Sequence, residues 1–138
     1  MIDSWNIVIT EADYARLARL IDSVRRVESR DAEHVDGLER ELERATIVRA
    51  SEVAADVVTM NSRVRVVDLN TGRELTYQVV FPSDADVAKN RISVLAPIGT
   101  GLLGCRAGAT LEWQVPAGLR RMRIVEIEYQ PEATGAAA

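Results

Sequence analysis

The stretch RVRVVDLNTGRELTYQVVF, residues Arg63 to Phe81, reads as two β-strands and the turn that joins them. Arg63 to Leu69 and Glu74 to Phe81 are rich in β-branched and aromatic residues. Val64 and Val66 alternate with Arg63 and Arg65, the period-two pattern of a strand with one face buried. Asn70-Thr71-Gly72 between the runs tolerates a tight reversal, which predicts a hairpin.

The same signals continue outward. Val57-Val58, Arg91 to Leu95, Thr110 to Val115 and Met122 to Tyr129 are further short β-rich runs, and Pro116-Ala117-Gly118 predicts another hairpin turn. Pro97 to Gly104 interrupts them with a small, glycine-rich segment containing Leu102-Leu103, expected as a short helix laid on the sheet. Upstream the period becomes helical. Tyr14, Leu17, Ile21 and Val24 recur at spacings of 3, 4 and 3, widened by Ala18 and Leu20, and Val35, Leu38, Leu42 and Ala45 repeat that spacing. Helices are expected at about 11–26 and 34–46, with Thr10 as N-cap and Asp13 completing a short-armed capping box. Val27 to Glu33 has no periodic apolar residue and reads as a tight link, so each seam buries itself against the other.

The fold class is therefore α+β: a short N-terminal antiparallel helical hairpin, coiled-coil in pattern, followed by a mostly antiparallel β domain with a short helix. The expected divisions are an arm over 1–50, a body over 51–132 and a disordered tail over 133–138. Isolated helices this short are marginal in water, so the β half must brace them.

At 138 residues, 47% apolar and 28% charged, the chain matches one soluble domain and excludes disordered, collagen-like or membrane-spanning classes. One Cys and one His allow neither an internal disulfide nor a structural zinc site. Met1 to Thr10 lacks the basic start of a signal peptide, so a cytoplasmic location is expected. With 17 basic and 21 acidic residues the net charge is −4, which argues against an obligate nucleic-acid binder, and no direct specific DNA binding is expected. The acid is concentrated early: residues 1–56 hold 13 acids and 8 bases.

The densest polar cluster is Glu28, Asp31, Glu33, Asp36, Glu39, Glu41 and Glu43, relieved by Arg30 and Arg40. Carboxylates at a hairpin tip can hold Mg²⁺ or repel anions. A solvated helix surface with acids favoured at a helix N-terminus explains the same residues. His34 has no Ser, Cys or second His at a catalytic spacing, and Cys105 reads as a small core residue. Gly99, Gly101 and Gly104 fit no phosphate-loop spacing and suit close packing of a helix on a sheet. Alternation puts Arg121 and Arg123 on one strand face, beside Arg120 and with Arg63 and Arg65 on an earlier strand; a modest cationic patch would fit them, and a solvated sheet face explains them better. No nucleophile, base and orienting group stand together. The residues favour a binding module over an enzyme, with no catalytic, cofactor or metal site.

Three blocks carry a resemblance: Val57-Val58-Thr59-Met60-Asn61-Ser62-Arg63-Val64; Ile92-Ser93-Val94-Leu95-Ala96-Pro97-Ile98-Gly99 continuing to Leu102-Leu103-Gly104; and Glu128-Tyr129-Gln130-Pro131-Glu132. In order and in register they resemble the Rnk family, regulators of nucleoside diphosphate kinase and small relatives of the GreA and GreB transcript-cleavage factors. The resemblance implies an FKBP-like body, a shortened coiled-coil arm and a partner, bacterial RNA polymerase, gripped at the rim of its secondary channel by a monomer. The docking region it implies is Ser83 to Asp86 with Ile92 to Pro97, carried by Asp84, Asp86, Ser93 and Pro97. The arm tip, Glu28, Asp31, Glu33 and Asp36, has acids but lacks the Asp and Glu-Asn motif that cleavage factors present to the polymerase Mg²⁺. Helices of the expected length extend only about 21–26 Å, roughly half the reach of those factors' arms. The implied activity is a non-catalytic regulator competing with cleavage factors.

Two other classes stay open. A peptidyl-prolyl isomerase is suggested by the fold name, but the six aromatic residues Trp5, Tyr14, Tyr77, Phe81, Trp113 and Tyr129 are scattered. A direct regulator of nucleotide metabolism is suggested by the family name, with no kinase-binding surface visible in the residues.

Overall fold

In the computed structural model, the structure describes residues 7–26 and 35–134, apart from the side chains of Trp113 and Val115. The elements are β1 (Val8–Thr10), α1 (Glu11–Arg26), α2 (Val35–Arg44), β2 (Thr46–Val48), β3 (Arg63–Asp68), β4 (Glu74–Val80), β5 (Arg91–Ser93), α3 (Pro97–Leu102), β6 (Thr110–Val115) and β7 (Gly118–Tyr129).

A five-stranded sheet in the order β5-β4-β3-β7-β6 forms the body. Only the β4–β5 pair is parallel; β3–β4, β3–β7 and β6–β7 are antiparallel. The expected hairpin turn at Asn70 to Gly72 is present, organised by a residue the pattern did not single out. The buried Asp68 carboxylate accepts from the Asn70 N–H at 2.8 Å and the Thr71 N–H at 3.3 Å, and pairs with Arg120. Gly72 closes the turn at φ +78°, a conformation that favours glycine. Register shifts between Arg63 and Val64 and between Arg65 and Val66 bend β3 against β7, the usual way a sheet acquires curl.

The helical stripe is buried as its period requires: Leu17, Ile21 and Val24 on α1, Val35, Leu38 and Leu42 on α2. Tyr14 departs from it. It is 39% exposed, and Asp13 takes the buried position one turn before Leu17. Near the end of α1, Arg25 bonds Asp36 and Glu39 near the start of α2. The helices do not stand apart from the body. Their apolar residues and those of the sheet, among them Val64, Val66, Val79, Leu111 and Ile124, form one continuous cluster.

Other boundaries differ from expectation. Val57 and Val58 form no strand; Val57 makes a single bridge with Arg106. Strand β7 begins at Gly118 rather than Met122. The parallel pair β1–β2, aligning Val8 with Thr46 and Thr10 with Val48, was not anticipated. Ala133 and Thr134 belong to a 3-10 turn over Glu132–Thr134, so the expected tail does not start there, and its residues 135–138 lie outside the described ones.

Candidate functional site

The implied docking residues gather around β5, an edge strand. Asp84 is exposed in the 3-10 turn Pro82–Asp84, which packs against β5. Asp86 is half-buried. Its backbone exchanges hydrogen bonds with Arg91 at 2.9 and 3.0 Å, and its Oδ1 accepts from the Ala88 N–H at 3.1 Å. That carboxylate is thus engaged in capping the next turn, Val87–Lys89. Ser93 ends β5 with its Oγ accepting from the Leu95 N–H at 3.0 Å, and Pro97 is exposed at the first position of α3, where its missing N–H costs nothing. Between the two aspartates and Lys89 stands Val87, 86% exposed. Val87 is thus an exposed apolar side chain flanked by charged residues.

The three sequence blocks meet elsewhere, at the root of the helices. Gln130 donates to the Ala54 and Val57 carbonyls at 2.7 and 2.8 Å. Thr59 Oγ1 donates to Glu132 Oε1 at 2.7 Å and lies 2.9 Å from Ser62 Oγ. Val58 and the Gly104–Cys105 pair exchange backbone bonds at 2.8 Å. Into this socket the chain inserts β1 and the first turn of α1. The Val8 N–H donates to the Gly104 carbonyl at 3.1 Å, and a Cβ on Gly104 would lie 2.3 Å from Ile7 Cγ2, so only glycine lets the segment approach.

Thr10 caps α1 as expected, its Oγ1 accepting from the Asp13 N–H at 3.1 Å. Asp13 does not fold back to complete a capping box. Its Oδ2 instead accepts from the Met60 N–H at 3.1 Å, fastening helix to body. Burial pushes the Asp13 carboxyl up to about 6; the Met60 bond works against the rise, Glu132 adds to it, and Arg16 and Thr10 reduce it. Arg16, one turn on, lies 5.5 Å from the centre of the Phe81 ring, a second tie between α1 and the body.

The acidic cluster divides. Asp36 and Glu39 both bond Arg25, at 2.7 to 2.8 Å, and Arg25 hydrogen bonds hold the Glu39 carboxyl below its usual range. Glu41 is not a solvated surface residue: it is 8% exposed, and desolvation raises its pKa. Glu28, Asp31 and Glu33, together with His34, lie outside the described residues. Among the described residues no group of His, Cys, Asp and Glu is placed to hold a metal ion.

The remaining candidates take the structural roles their patterns suggested. Cys105 is buried and directs its Sγ at the Gly101 carbonyl, 3.2 Å away. Gly99 faces the Ser93 carbonyl so closely that a Cβ would lie 2.1 Å from it. Arg63 pairs with Glu128, Arg65 with Glu74 and Glu126, Arg120 with Asp68 and Arg121 with Glu112. Tyr14 lies on α1, Tyr77 on β4, Tyr129 on β7 and Phe81 just after β4. Trp5 and the Trp113 side chain are outside the described residues.

A curled five-stranded sheet, one short helix against its edge and two packed helices rooted in it define a Gre-like transcription-factor fold. The "Prokaryotic transcription elongation factor GreA/GreB from Nitrosomonas europaea" shares it: TM-score 0.75, 38% identity, over 90% of this chain and 100% of that one. Residues 42–129 match the family model "Transcription elongation factor, GreA/GreB, C-term", and residues 6–48 match "Rnk N-terminus". The chain is 41% identical over 101 residues to the "Regulator of nucleoside diphosphate kinase" of Escherichia coli strain K12, covering 72% of this chain and 74% of that protein. It is 34% identical over 92 residues to the "Transcription elongation factor GreA" of Azorhizobium caulinodans, covering 67% of this chain and 59% of the relative. This chain belongs to the GreA/GreB C-terminal family, in the branch that carries the Rnk N-terminal segment. Among the described residues no helix is long and apolar enough to cross a membrane.

Proposed function

We propose that the protein is a non-catalytic transcription regulator that docks on bacterial RNA polymerase at the rim of the secondary channel and competes there with Gre-type cleavage factors. Residues 1–50 act as a short coiled-coil arm and residues 51–132 as an FKBP-like docking body, in a cytoplasmic monomer without cofactor or metal. The observation that carries the reading is the edge around β5, in the segment matched by the GreA/GreB family model. Asp84, Asp86, Ser93 and Pro97 surround that strand, with the exposed Val87 as an apolar contact.

The arm supports the absence of cleavage. Helix α1 has 16 residues, about 24 Å of reach, whereas a carboxylate must come within about 2.1 Å of a Mg²⁺ to bind it. Asp36 and Glu39 are engaged with Arg25 and so serve the arm's own structure, and Glu41 is buried rather than presented to solvent. The remaining tip acids, Glu28, Asp31 and Glu33, add negative charge that attracts a basic channel entrance without reaching the metal.

The test is binding of RNA polymerase by the wild-type chain and by Asp84→Lys, Asp86→Lys and Val87→Asp. Each variant should bind more weakly while remaining folded, and unchanged binding by all three refutes the docking edge. A second reading, direct regulation of a nucleoside diphosphate kinase, is favoured by the name of the Escherichia coli relative. Capture experiments with purified polymerase and purified kinase separate the two.

A further inference from the structure

Between α2 and α3 lies a cleft of about 290 Å³, lined by Gly37, Arg40 and Glu41 on one side and by Leu95, Pro97, Thr100 and Gly101 on the other. Glu41 is 8% exposed, and its Oε2 is buried without a hydrogen-bond partner. Its Oε1 is 3.7 Å from Arg44, an ion-pair distance too long for a hydrogen bond. A buried carboxylate oxygen left unpaired is costly, so it marks a place where a donor belongs. The cations already nearby do not supply enough: Arg44 and Arg40 lower the Glu41 pKa, yet desolvation outweighs them.

Gly37 gives a second, independent sign. It occupies the third position of α2, where glycine weakens a helix relative to alanine. Neither crowding nor backbone conformation requires it, since a Cβ there would meet nothing within 4 Å and its φ is not positive. Its missing side chain leaves the cleft open beside Glu41. The opposite wall, Leu95 and Pro97, is apolar and suits a hydrocarbon stem.

We propose that this cleft receives a lysine or arginine side chain of the docking partner, its stem along Leu95 and Pro97 and its cationic head donating to the Glu41 carboxylate. Oε2 is closed to solvent in the free chain, so the Glu41 side chain must turn toward the cleft as the cation enters. The cleft joins α2 to the body, and an inserted cation therefore clamps the arm while the partner is bound. The identity of the partner as RNA polymerase rests on the function proposed above; the cation site itself does not.

The experiment has two arms, both on the full chain. In the first, amide shifts of Gly37, Thr100 and Gly101 are followed during titration with n-butylguanidinium and, separately, with the neutral isostere n-butylurea. Saturable shifts with the cation alone are expected, lost in Glu41→Gln and in Gly37→Leu, which keeps the carboxylate but fills the opening. Equal responses to both compounds, no response, or shifts that survive both substitutions overturn the site. In the second arm, Glu41→Gln and Gly37→Leu should each lower polymerase affinity at least fivefold with the fold intact by amide spectrum. Wild-type affinity in both variants overturns the insertion and leaves the docking edge standing. Failure of the wild type to bind polymerase removes the docking reading and the partner named here, while the first arm still decides whether the cleft takes a cation.

Discussion

Replacing Asp13 by asparagine removes a titrating group from the root of the arm while keeping an oxygen that can accept the Met60 N–H. The folded protein holds the Asp13 carboxyl at about 6, against an ordinary value of 3.8, because burial disfavours the charged form. The native state therefore binds this proton more tightly than the unfolded chain does. The resulting stabilisation is fully present below about pH 3.8 and is lost as pH rises through about 6. At about 1.36 kcal/mol for each pH unit of displacement, the swing is about 3 kcal/mol. Urea unfolding of both proteins from pH 3.5 to pH 8 isolates it, since titrating groups that do not interact with Asp13, Glu39 and Glu41 among them, cancel in the difference. The wild type should lose about 3 kcal/mol relative to Asp13→Asn across that range, nearly all of it between pH 4 and pH 7. A difference that is flat with pH, or that favours the wild type as pH rises, refutes the claim that Asp13 is seated in a desolvating socket.

The same root should resist added volume. Gly104→Ala places a Cβ 2.3 Å from Ile7 Cγ2 at φ +81° and should cost about 2–4 kcal/mol by chemical denaturation. Gly108→Ala, also at positive φ but in open space, should cost only about 1 kcal/mol. Leu38→Ala empties a fully buried position in the shared core of helices and sheet and should cost about 2–5 kcal/mol, with arm and body unfolding in one transition. Val87→Asp changes an 86% exposed side chain and should alter stability by less than about 0.5 kcal/mol while weakening polymerase binding.

Strand alternation from Arg63 to Phe81 and the 3, 4, 3 spacing of the helices were legible because a half-buried element writes its period into the sequence. Strands β1 and β2 were not, because three residues contain too few alternations to show a period, and their pairing depends on helices that lie between them in the chain. Val57-Val58 looks like a strand because both residues are buried; their backbone bonds go to Gln130 and the Gly104–Cys105 pair rather than to a ladder. Polar residues on the buried face were the least legible. Asp13 and Glu41 fall where apolar residues are expected or where a charged helix surface is expected, and only distant partners, Met60 for one and the α3 wall for the other, give them their settings. The docking region that the resemblance implies, Ser83 to Asp86 with Ile92 to Pro97, lies around β5. Parts of the three blocks that carry the resemblance meet at the socket that holds the arm, and Asp84 and Asp86 lie apart from that meeting point.

The central claim is that a body of this family grips RNA polymerase while its arm stops short of the metal. A stalled bacterial elongation complex with labelled RNA measures both parts together, given this protein alone and then increasing amounts of it against a fixed amount of a GreA-type cleavage factor. The account predicts no RNA shortening with the protein alone and progressive, competitive loss of cleavage as it displaces the longer-armed factor. Shortened RNA in the first case, or undiminished cleavage at saturating protein in the second, contradicts it.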